Sequence, residues 1–195
     1  AANEDVVCVH PLGGASCTDG FCDGACETTV AAGLARVALL AQPLAKPAYV
    51  WIYDSGAVPD YAERVNIDNA TIVPTAGSRL WVGGRCVAGA RDAVTISYAA
   101  VLAGNAPIVT MDRPYVTLEG LTIDMGVETT GPGVGFSTAA GITTGDADYA
   151  ILRKLTVTSG ALVDDVAAGA NGQNSHIHVF GGGGDVLVDV LIDRV

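Results

Sequence analysis

The sequence predicts an all-β fold, a parallel β-helix (solenoid) with an N-terminal capping α-helix and a Cys-rich N-terminal loop. Three observations carry this. The first lies in residues 116–124. Val116 and Leu118 alternate with Thr117, and Leu121 and Ile123 alternate about Thr122, the period of two that marks strands with one buried face. The step of three from Leu118 to Leu121 breaks the alternation. Both apolar pairs stay inside only if the chain turns a corner at Glu119-Gly120. The second observation is recurrence of that frame at residues 65–73, 94–99, 150–158 and 187–193. Taking Ile67, Ile96, Leu118, Leu152 and Leu187 as equivalent places the copies roughly 20 to 50 residues apart, the period range of repeat architectures. The third is composition. With 25 Gly and many Val and Thr, strands and tight turns are favoured, and only 6% aromatic content makes the core aliphatic. A β-sandwich fits the composition equally well but does not explain the one-corner frame. On this register Ile67, Leu118, Leu152 and Leu187 form one internal row, and Ile72, Ile123, Val157 and Ile192 form another.

Taken in order, residues 1–28 form a Cys-rich, loop-like segment. Cys8, Cys17, Cys22 and Cys26 lie close together among Gly and Asp, which points to disulfides and an oxidising compartment. Three pairings exist, of which Cys8–Cys17 with Cys22–Cys26 is the simplest. Zinc is the rival reading, because Cys22 and Cys26 have tolerable ligand spacing. Cys86 is left over and reads as a small buried apolar residue. Residues 29–195 form the repeat domain with its helix. Thr28-Thr29 cap a helix over residues 30–42, whose Val30, Leu34, Val37 and Leu40 share a face, and Pro43 and Pro47 end it. Residues 48–53 are a strand by propensity, closed by Asp54-Ser55-Gly56.

The stretch running from Val30-Ala31-Ala32-Gly33-Leu34-Ala35 through Tyr49-Val50-Trp51-Ile52 and Asp54-Ser55-Gly56 to Tyr61-Ala62-Glu63-Arg64-Val65-Asn66-Ile67 resembles the start of pectin-lyase-like β-helix proteins. The resemblance spans residues 28–195 and implies a right-handed coil. It specifies fold better than function, because that superfamily holds lyases, hydrolases, esterases, epimerases, tailspikes and adhesins. The chain stops at Val195 inside a repeat, so the polypeptide is expected to continue, or a following domain or second subunit to dock there.

A net charge of −11 argues against nucleic acid and anionic lipid as partners, and against polyanionic polysaccharide without a bridging cation. No apolar run reaches the roughly 18 residues of a membrane span. Ala1-Ala2-Asn3 suits the start of a chain left by signal cleavage.

The dense ionisable groups are Asp164, Asp165 and His176, in the long insertion before residue 185. Adjacent carboxylates with a histidine suit acid/base cleavage of a glycoside. The Asp-Asp pair followed by His resembles the polygalacturonase branch, although that branch's Asn-Thr-Asp, Gly-His-Gly and Arg-Ile-Lys motifs do not occur here. His176 and His178 alternate with Ile177 and Val179 as a plain strand face would, or they hold a metal. Asp164-Asp165 reads as a solvated turn or a Ca²⁺ ligand pair. Asp124, Thr158 and Asp193 follow equivalent strands and make a polar row. Gly181-Gly182-Gly183-Gly184 lacks the Lys and Ser/Thr of a phosphate loop and is a turn. The expected function is a secreted or cell-surface structural and binding protein, non-enzymatic: an adhesin, a filament-forming fibre or an appendage subunit. A polysaccharide lyase or glycoside hydrolase is the alternative. Trp51, Trp81 and the ten Lys and Arg are too scattered in the chain to reveal a sugar groove.

Overall fold

The computed structural model describes residues 5–13, 17, 22, 26–57, 59–87, 89–97, 108–124, 142–144, 148–158, 177–179 and 191–193. Among them the chain forms β1 (Asp5–Val9), β2 (Cys26–Glu27), helix α1 (Val30–Val37), β3 (Ala48–Ile52), β4 (Tyr61–Ala62), β5 (Val65–Ile67), β6 (Leu80–Gly84), β7 (Cys86–Val87), β8 (Ala90–Arg91) and β9 (Val94–Ser97). After these come β10 (Val109–Met111), β11 (Val116–Glu119), β12 (Leu121–Asp124), β13 (Ile142–Thr144), β14 (Ile151–Arg153), β15 (Thr156–Thr158), β16 (Ile177–Val179) and β17 (Leu191–Asp193). The strands sort into a seven-stranded sheet, β17-β14-β11-β6-β3-β1-β2, and two four-stranded sheets, β16-β13-β10-β5 and β15-β12-β9-β4. All three are parallel; the two-stranded β7–β8 pair is antiparallel.

The expected right-handed parallel β-helix is thereby corrected. The described residues form several parallel sheets with one short helix, and no closure into a solenoid is traced among them. The register explains why the repeat frame misled. Only its copies at 116–124 and 150–158 stack as expected, Leu118 beside Leu152 and Ile123 beside Val157. Ile67 lies in a different sheet, beside Met111. Ile96 stands beside Ile123 rather than Leu118, and Ile192 beside Leu152 rather than Val157. Leu187 lies outside the described residues. The row through Leu118 is instead Val7, Val50, Val82, Leu118, Leu152 and Ile192, and it draws on β1 and β6, which the frame does not include. The corner itself is present. Gly120 is left-handed (φ 66), and β11 and β12 join different sheets. Val116, Leu118, Leu121 and Ile123 are all buried in one aliphatic core.

The helix starts where capping chemistry places it. Thr29 Oγ1 accepts a hydrogen bond from Ala32 N, and both Glu63 carboxylate oxygens accept from Val30 N and Ala31 N. It ends earlier than expected, because Leu39 N and Leu40 N bond Arg36 O and Val37 O, three residues back, and the ladder tightens into a turn. Val30, Leu34 and Val37 face the core. Gly33 lets the helix close on the sheet, since an added Cβ would lie 2.6 Å from a Val9 methyl. The Tyr61 hydroxyl, beneath, donates to Val9 O and Tyr53 O; burial, with Asp60 and Glu63 nearby, pushes its pKa well above the usual phenol value.

The N-terminal segment is not purely loop-like, because β1 and β2 extend the seven-stranded sheet. Its disulfides are Cys8–Cys22 and Cys17–Cys26, with Cα separations of 5.7 and 6.0 Å, not the sequential pairing. Parallel pairing of β1 and β2 sets Cys8 beside Cys26, and each is then bonded to a cysteine of the connection between them.

Candidate functional site

The outer face of the seven-stranded sheet carries the densest chemistry among the described residues. Alternation along β3 turns Val50 and Ile52 inward and leaves Tyr49 and Trp51 half-buried on the other side. Parallel register sets Tyr49 beside Trp81, then Thr117 and Ile151. The adjacent row runs Trp51, Gly83, Glu119 and Arg153. Tyr49 and Trp81 stack at 5.8 Å between centroids and 14° between planes, with Trp51 edge-on to Tyr49 at 6.4 Å. The Arg153 guanidinium sits 4.9 Å from the Trp81 ring centroid.

Gly83 decides the shape of this face. An added Cβ there would lie 2.0 Å from the Glu119 carbonyl oxygen, so only glycine permits the close approach of β6 and β11. With no side chain between Trp51 and Glu119, a cavity of about 240 Å³ opens. Tyr49, Trp51 and Trp81 line it together with Arg91, Glu119 and Arg153.

Glu119 is the one carboxylate among the described residues that is almost fully buried, at 2% exposure. Three cations converge on it: Arg91 at 2.8 Å, Arg153 at 2.7 Å and Lys154 at 3.2 Å. Burial alone would raise its pKa. The hydrogen bonds from Arg153 and Lys154 and the charge of Arg91 outweigh that and hold it below the usual carboxylate range. Arg91 also donates to Gly84 O at 2.9 Å, and Arg85 is paired with Asp92 at 3.0 Å. Around the corner, a second cleft of about 580 Å³ is lined by Arg91, Lys154, Thr122, Thr156 and Cys86 among others.

The expected site residues Asp164, Asp165 and His176 lie outside the described residues, as does the glycine run at 181–184. The backbone of His178 belongs to β16, in register with Thr143. Asp124 and Thr158 are register partners as expected, but Asp193 stands beside Arg153 instead of extending that row. Among the described residues, three side chains with ligand atoms within 4.8 Å of one another are Cys8, Cys17 and Cys22, and these sulfurs are engaged in disulfides. Cys86 is half-buried. No described helix is long and apolar enough to cross a membrane. Sequence reasoning missed the convergence of Trp51 with Trp81 and of Arg91, Arg153 and Lys154 on Glu119. One signal was present: residues 80–84 read Leu-Trp-Val-Gly-Gly, the same apolar alternation as Val50-Trp51-Ile52.

Comparison of the chain with protein-family models, with curated proteins and with solved structures finds no match. The resemblance to pectin-lyase-like proteins gains no support from them.

Proposed function

We propose that the protein is a non-enzymatic, extracellular or cell-surface binding protein, an adhesin, fibre or appendage subunit that engages its ligand with the outer face of the seven-stranded sheet. The aromatic-walled cavity over Gly83 carries this reading. Its rings stand on two hydrogen-bonded strands and are braced by stacking, so little side-chain freedom is lost when a ligand binds. Its volume suits one sugar ring rather than an oligosaccharide. The two disulfides suit an oxidising compartment, and an extracellular location is the form of it we propose.

A general acid needs a carboxyl that is protonated near neutral pH, with a second carboxylate roughly 5–10 Å away for the other half of the reaction. Glu119 is held ionised by three cations, which suits a structural and binding role better than acid catalysis. Affinity electrophoresis through gels containing neutral polysaccharides tests the reading, with sugar release assayed in parallel. Retardation of the native protein, lost in Trp81→Ala without any released sugar, is the expected result. Released sugar, or mobility that Trp81→Ala leaves unchanged, overturns it.

A further inference from the structure

We infer that the cleft between Arg91 and Lys154 is a binding site for a small oxyanion, the sulfate, phosphate or carboxylate group of a ligand. The inference rests on the binding reading above and names the chemistry that one end of the binding face takes. Arg91 Nη2 and Lys154 Nζ touch the same oxygen, Glu119 Oε1, at 2.8 and 3.2 Å. Their cationic heads are therefore no further apart than those two contacts laid end to end, a separation that one oxyanion can bridge. Arg153 satisfies the other oxygen of Glu119 at 2.7 Å and completes its neutralisation. Arg153 does not line this cleft and is not counted toward the site. Arg91 and Lys154 share the remaining oxygen, so three cations face one carboxylate and the cluster carries an excess of positive charge at the wall of a cleft of about 580 Å³. Thr122 and Thr156 line the same cleft and offer hydroxyl donors.

Two independent features set this cluster apart. The chain is strongly acidic, with 10 Lys and Arg against 21 Asp and Glu, yet three of those ten cations meet around one carboxylate. In addition, Lys154 is left-handed at φ 52, at the corner where the neighbouring layer has Gly120 at φ 66. Glycine takes that conformation freely, whereas a lysine there is strained. The lysine is held in an unfavourable backbone geometry that puts its ammonium on the cleft wall. The net charge of −11 repels extended polyanions, so the site suits a single anionic group.

Two variants test the site. Lys154→Gly removes one cation, and the relief of its left-handed backbone offsets the loss of a half-exposed contact with Glu119, so the variant should stay folded. Arg91→Gln removes the other. Titration of sodium sulfate, sodium phosphate and sodium acetate at constant ionic strength in chloride, followed by backbone amide NMR shifts of Gly120 and Thr122, reads binding by free ions. The same titration with a sulfated and a phosphorylated monosaccharide reads binding of a ring-carried group. Saturable shifts with either class, weakened roughly tenfold or more in Lys154→Gly, support the site. They also tell a free ion from a ring-borne one. Linear shifts that match chloride, or saturation unchanged in both variants, overturn it. Retardation by neutral polysaccharide that depends on Trp81, with no oxyanion binding, would sink this inference and leave the binding reading intact.

Discussion

At the scale of single residues, Glu119 and Leu118 are adjacent in one strand and stabilise it by opposite means. Leu118 is fully buried in the row of Val50, Val82 and Leu152. Leu118→Ala should lower unfolding free energy in urea by about 2–5 kcal/mol, the range for a large-to-small change in a packed core. Glu119 is buried on the other face, where it is the shared counter-ion of three cations. Glu119→Gln keeps its size but removes the charge that the three partly exposed cations share, so it should cost about 1–3 kcal/mol at pH 7. The pH dependence has a definite sign. The folded-state pKa of Glu119 is depressed, so its contribution is fully present above the ordinary carboxylate pKa of about 4.3 and is lost as pH falls below it. Urea unfolding of the native chain between pH 7 and pH 3 should show this loss. The Glu119→Gln variant should show a flatter acid limb. Equal acid sensitivity in the two proteins would place the titrating groups elsewhere.

At the scale of elements, the helix shows which signals in a sequence are local and which are not. Its start follows from Thr29, whose hydroxyl caps the first turn wherever the helix docks. Glu63, 33 residues away from Val30, supplies two further bonds that no local pattern reveals. Glu63→Ala should therefore cost about 1 kcal/mol, as loss of a cap does, with faster amide exchange confined to residues 30–33. Exchange accelerated throughout the core would contradict so local a role. The same contrast governs the sheets. Alternation at Val116, Leu118, Leu121 and Ile123 was legible, and so was the corner between them, because both depend on neighbours in the chain. The stacking partner of each strand depends on the length of the connections between strands. Ile67 and Leu118 look alike in sequence but meet different sheets for that reason. The candidate site was the least legible part. Trp51, Trp81, Glu119 and Arg153 are separated in the chain and become neighbours only once β3, β6, β11 and β14 are in register. Gly83 lies within a strand, where its lack of a side chain matters only once β6 and β11 are neighbours.

At the scale of the whole molecule, stability is divided between two clusters of unlike kind. One aliphatic core is shared by α1 and the three sheets, from Val7 to Leu155. A separate small cluster of Cys8, Cys26 and Tyr53, with Cys17, Cys22 and Trp51 packed against it, lies at the β1–β2 edge of the largest sheet. The disulfides close connections of 14 and 9 residues there. Loops of that size restrict the unfolded chain by about 3 kcal/mol each on the chain-entropy account. They hold an edge, while Val7 and Val9 of β1 belong to the aliphatic core, a cluster separate from the cysteines. Reduction should therefore lower the melting temperature without abolishing strand structure, and Cys8→Ser/Cys22→Ser should behave as a milder version of full reduction. Circular dichroism with and without reductant measures this. Peptide mapping of the oxidised protein should recover Cys8 joined to Cys22 and Cys17 joined to Cys26. Recovery of Cys8 with Cys17 would overturn the crossed arrangement. Complete loss of strand signal on reduction would show that the edge, rather than the aliphatic core, is what keeps the three sheets together.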